Sequence, residues 1–82
     1  MPNEYEFDLV SNDNSIVGEV KSGRDLSDYR FAECCLDCLY LMSVKAERRI
    51  FVLTDQLMYD WFRNIICGLA FEYVEVMLVE RP

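Results

Sequence analysis

The chain has no histidine. That excludes Ser-His-Asp and Cys-His nucleophile systems, His-ligated zinc and any imidazole proton shuttle. Polar chemistry is left to carboxylates, lysine, arginine, tyrosine and cysteine. Glycine and proline are scarce, three and two residues, so collagen-like and low-complexity organisation are excluded. Positive charge is also short: 8 Lys and Arg against 15 Asp and Glu give a net charge of −7. Phosphate binding is driven by cations, so this balance speaks against a broad nucleic-acid groove. It suits a solvated acidic surface or a site for a hard metal ion. No stretch of 18 residues is free of charge, so no membrane span is expected. The N-terminus has no signal-peptide pattern, which points to the cytoplasm and to reduced thiols.

What is present is a small, apolar-rich chain of 82 residues, expected as one domain over 1–82. Such a chain buries only roughly 60–65% of its unfolded surface. Yet 52% of it is hydrophobic and 13% aromatic. The surplus predicts a partner subunit, most simply a homodimer. The four cysteines are Cys34, Cys35, Cys38 and Cys67. Cys34 and Cys38 are one helical turn apart, and Cys35 points about 100° away. Adjacent helical cysteines do not bridge readily, so these read as small buried hydrophobes, with an iron–sulfur or zinc site as the other reading.

Along the chain, Tyr5, Phe7 and Leu9 alternate with Glu4, Glu6 and Asp8, predicting a strand over 4–10. Ser11-Asn12-Asp13-Asn14 is a turn cluster, and 15–21 predicts a second strand, making a hairpin. Asp25 or Ser27 caps a helix running from Leu26 to about Ala46. Its polar stripe is narrow (Arg30, Glu33, Asp37), so it is expected to be covered on more than one side. Ile50-Phe51-Val52-Leu53 reads as a strand buried on both faces. Thr54 or Asp55 caps a second helix that ends near Gly68, with Trp61 and Phe62 on its core face. Tyr73 to Val79 is a last strand. The expected fold class is α/β, a mixed sheet in the order β-β-α-β-α-β.

The hairpin carries the chemistry. Glu6 and Asp8 share one face, and Val17, Glu19 and Lys21 share one face. A two-residue turn at Asp13-Asn14, or a four-residue loop, sets Asp8 opposite Glu19 and Glu6 opposite Lys21. A turn shifted by one position sets Asp8 opposite Val17, with Glu19 diagonal. Either way two carboxylates come together, with a lysine beside them. A divalent cation relieves their repulsion, and all-oxygen ligation suits Mg²⁺ or Mn²⁺. The other reading is a solvated hairpin face with a cross-strand ion pair. Glu6 reads equally as a plain surface acid.

Glu6-Phe7-Asp8-Leu9-Val10, a short loop and Val17-Gly18-Glu19-Val20-Lys21 resemble the PD-(D/E)XK nuclease superfamily. The similarity is to its small Holliday-junction-resolvase-like and restriction-endonuclease-like members. It implies a catalytic set of Asp8, Glu19 and Lys21, with Asp8, Glu19 and the Val20 backbone carbonyl as metal ligands. Glu6 is a candidate accessory acid, and Arg24 and Arg30 are candidate phosphate contacts. The resemblance covers residues 4–80 and starts at the family's second meander strand, so a truncated core is expected, without the opening helix and first strand. The edge this leaves invites pairing with a second copy. The function implied is Mg²⁺-dependent phosphodiester hydrolysis of DNA by a homodimer. The alternative is a catalytically inactive domain of the same fold that serves oligomerisation, binding or regulation.

Overall fold

A computed structural model describes residues 6–66 and 73–80. In chain order it holds β1 (Leu9–Val10), β2 (Ile16–Lys21), α1 (Asp28–Met42), β3 (Arg48–Leu53), α2 (Gln56–Ile66) and β4 (Glu75–Leu78). The four strands form one sheet in the order β1-β2-β3-β4. β1 is antiparallel to β2, while β2–β3 and β3–β4 are parallel. The fold is thus α/β with a mixed sheet, in the order expected.

Local chemistry sets the boundaries. The hairpin closes through Ser11 N–H to the Ile16 carbonyl at 2.9 Å, leaving a four-residue loop. Asp13 Oδ1 organises that loop, accepting from Ser11 Oγ, Ser15 N and Ser15 Oγ at 2.8, 3.0 and 2.7 Å. Asn14 takes a left-handed backbone, φ 61°, which a short amide side chain tolerates. Ser27 caps α1 by accepting from Arg30 N at 3.1 Å. Asp55 caps α2 in the same way, accepting from Met58 N at 3.1 Å. α1 stops at Met42, short of Ala46, because the Arg49 guanidinium takes the carbonyls of Leu41 and Val44 at 3.0 and 2.8 Å. β3 begins two residues early, at Arg48, as Glu47 and Arg48 N–H reach back to the Ser15 carbonyl. The expected cap at Gly68, and Cys67, lie outside the described residues.

Both crossovers, β2-α1-β3 and β3-α2-β4, step the same way across the sheet. With right-handed connections this puts both helices on one face. The core is built there: Val17, Phe51 and Leu53 from the sheet pack with Cys34, Cys38 and Leu41 of α1 and Met58 and Phe62 of α2. Phe62 lies 5.2 Å from Phe51, ring centre to ring centre, and Phe31 meets Trp61 edge-on at 5.7 Å. Trp61 and Phe62 are packing residues, as their spacing predicts. The expectation that Ile50–Leu53 is buried on both faces holds for three of its four residues. Phe51 and Leu53 are fully buried under the helices and Val52 is buried on the helix-free side, where Ile50 is half-buried. Gly18 lies on that side, where an added Cβ would sit 3.1 Å from both the Ile50 carbonyl oxygen and Leu9 Cδ1.

Of the strand expected over 4–10, residues 4 and 5 lie outside the described residues, and β1 holds only Leu9–Val10 of the rest. Glu6 and Phe7 are outside the ladder and Asp8 is in a bend. The cause is Asp8 itself. Its Oδ2 accepts the Val20 N–H at 2.9 Å, so a side chain takes the place of the next main-chain rung.

Candidate active site on the hairpin

The register Leu9↔Gly18 and Val10↔Val17 resolves the hairpin alternatives. The ladder stops at Leu9, so Asp8, in a bend, has no strand partner of its own. The hydrogen bond to Val20 N then anchors the Asp8 carboxylate at the outer edge of β2. A strand residue presents its N–H and C=O to the same edge, so the Val20 carbonyl faces that edge too. The Asp8 carboxylate and the Val20 backbone are therefore brought together, while the Glu19 side chain is buried. Glu6 is exposed and outside the strand.

Val17, Glu19 and Lys21 alternate onto the helix-covered face. Val17 enters the core and Glu19 is only 6% exposed. Lys21 reaches α1, where its Nζ lies 3.1 Å from Asp37 Oδ2, with the two side chains 21% and 13% exposed. The ammonium sits off the line of a good hydrogen bond, and Asp37 Oδ2 accepts no other. Burial pulls the Lys21 pKa down, but contact with the Asp37 carboxylate outweighs it, leaving the pKa raised. Burial pushes the Asp37 pKa up; Lys21 opposes this, while the charges of Asp8 and Glu33 add to it.

Asp37 is the site residue that the sequence reading missed. A signal existed: Arg30, Glu33 and Asp37 are a charged stripe on an otherwise apolar helix, and such a stripe has to meet water or a partner charge. Here it meets Lys21, and Arg30 bonds Glu33 at 3.2 Å. Arg24 is held bidentately by Asp55, both contacts at 3.0 Å. The two candidate phosphate-binding arginines thus have carboxylate partners.

Whether a hard cation fits follows from the donors. Among the described residues, no three acidic or sulfur side chains converge as a ready-made cage. The Asp8 carboxylate and the Val20 carbonyl lie at the outer edge of β2, while the Glu19 carboxylate is buried on the helix-covered side. Mg²⁺ takes one or two carboxylates and keeps several waters, so Asp8 with the Val20 carbonyl suits it at that edge, and Glu19 would join only by turning out of its buried place. Cys34 and Cys38 lie away from that edge, in the core. Both are fully buried and free, and burial pushes their thiols up to about 11 and about 12.

No family model matches the chain, and no curated protein and no solved structure matches it either. No described helix is long and apolar enough to cross a membrane.

Proposed function

We propose that this chain hydrolyses phosphodiester bonds in DNA with Mg²⁺ or Mn²⁺, as a member of the PD-(D/E)XK nuclease superfamily acting as a cytoplasmic homodimer. The observation that supports this reading is the bond of Asp8 Oδ2 to the Val20 N–H, within the Glu19-Val20-Lys21 stretch of β2. Asp8, Glu19 and the Val20 carbonyl would hold the cation. When bound, it would supply a more acidic water and neutralise charge on the phosphate. Lys21 acts as a cation and not as a base, because the neighbouring carboxylate of Asp37 keeps it protonated. Its role is to stabilise negative charge developing on the phosphate oxygens. Asp37 holds the Lys21 ammonium in place. Arg24 and Arg30 would meet phosphate by exchanging Asp55 and Glu33 for it, and the bidentate Arg24–Asp55 pair is the harder of the two to exchange.

A second reading is favoured by the burial of Glu19 and by the hold of Asp37 on Lys21. In it the same charges are a structural tie between β2 and α1, and the domain binds or assembles without catalysis. Calorimetric titration with Mn²⁺ and cleavage of plasmid, single-stranded and branched DNA separate the two. The nuclease reading expects millimolar-or-tighter Mn²⁺ binding that Asp8→Asn abolishes, and a cleavage rate that Lys21→Ala lowers about 100-fold or more. No Mn²⁺ uptake at millimolar metal, or equal cutting by wild type and Lys21→Ala, overturns it.

A further inference from the structure

We propose that the outward side of α1 is where two copies of this chain meet, helix against helix and antiparallel. α1 is apolar on two sides. Toward the sheet it buries Cys34, Cys38 and Leu41 completely. Away from the sheet, Tyr29, Ala32, Leu36, Leu39 and Ser43 follow at intervals of three, four, three and four residues, and all are exposed. Tyr29 is 74% exposed, Leu36 50% and Leu39 53%. That alternation is the spacing of a coiled-coil seam, which keeps side chains in line with a second helix crossing at about 20°. An ordinary surface helix has one apolar stripe and turns it to its own core. α1 has already filled its core stripe and carries a second.

The occupant is a second copy for three reasons. First, the seam carries no charge. In a chain of net charge −7, an uncharged stripe lets two copies approach without setting like charges against each other. Second, its two ends differ in sign. Asp28 is exposed in the first turn and Lys45 is exposed three residues past the last. Antiparallel pairing brings each Asp28 toward the partner subunit's Lys45 and opposes the two helix dipoles, whereas parallel pairing sets Asp28 beside Asp28. Third, the two leucines occupy the middle with small Ala32 and Ser43 on either side. The helices can therefore close on a central leucine layer, with the Tyr29 hydroxyl left at the wet rim.

The inference rests on the homodimer of the proposed function but uses none of Asp8, Glu19 or Lys21, so Mn²⁺ binding and DNA cleavage by a monomer would sink the dimer and leave the nuclease chemistry standing. Sedimentation equilibrium of the full chain tests it. The wild type is expected to weigh about twice its 9.7 kDa at micromolar concentration. Leu36→Glu with Leu39→Glu, both at exposed positions, should keep the far-ultraviolet circular dichroism of the fold and weaken dimerisation roughly 100-fold. Met77→Glu, on the helix-free sheet face, should leave the dimer intact. Asp28→Lys should weaken association, and adding Lys45→Asp should restore it, which also reports the antiparallel sense if the double-glutamate variant fails to fold. A monomeric wild type at about 100 µM overturns the proposal. So does a dimer that survives both glutamates but is lost with Met77→Glu, or an Asp28→Lys defect that Lys45→Asp does not repair.

Discussion

At the residue scale, single carboxylates do most of the organising. Asp8 ends the β1 ladder by taking a main-chain donor for itself, and the same bond presents the candidate metal-binding edge. Asp13 holds the hairpin loop through three donors, and those hydrogen bonds, led by Ser15, hold its pKa down at about 2 against an ordinary 3.8. A depressed folded-state pKa means that this contribution to stability is complete above the unfolded value. It fades as pH falls from about 4 toward 2. The Asp13 carboxyl carbon followed by NMR should titrate with a midpoint near 2. A midpoint near 4 would mean that the loop hydrogen bonds are absent in solution. Lys21 shows the opposite arrangement, a charge taken partly out of water and kept ionised by Asp37.

At the element scale, each helix begins at a side-chain cap and each has a different task. α2 is an ordinary amphipathic helix with its aromatic face on the sheet. α1 serves two surfaces at once and also supplies the carboxylate that meets Lys21. Its start depends on Ser27 Oγ accepting from Arg30 N. Ser27→Ala leaves that N–H without its partner and should cost about 0.5–2 kcal/mol, read as a lower urea midpoint with unchanged slope. An unchanged midpoint would mean that Asp25, which accepts from Ser27 N at 3.0 Å, carries the turn alone.

At the scale of the whole molecule, the handedness of two crossovers decides where everything lies. Both helices fall on one face, so one compact aromatic cluster of Phe31, Phe51, Trp61 and Phe62 joins α1, α2 and the sheet. Phe62 is fully buried at its centre. Phe62→Ala removes that ring and should cost about 3–5 kcal/mol, most of the stability of a domain this small. A melting temperature lowered by roughly 15–30 °C is expected, and a loss of only a few degrees would mean that the cluster is loosely packed.

Much of this was legible in the residue pattern because it depends on local periodicity. Period-2 alternation, the turn cluster at 11–14 and the helical spacing of Leu57, Met58, Trp61 and Phe62 each carry their own signal. They carry the element order, the mixed sheet and a helix cap at Asp25 or Ser27, of which the structure uses Ser27. The hairpin register could be narrowed only to alternatives, since side-chain alternation is the same in each. The bond between Asp8 and the Val20 N–H, the pairing of Lys21 with Asp37 and the placing of both helices on one face belong to the tertiary structure. Each joins residues from separate elements, and no spacing along the chain encodes which elements will touch. Alternation and turn chemistry act over a few residues, so the sequence alone determines them; contact between β2 and α1 depends on how two layers pack, which only the folded chain decides.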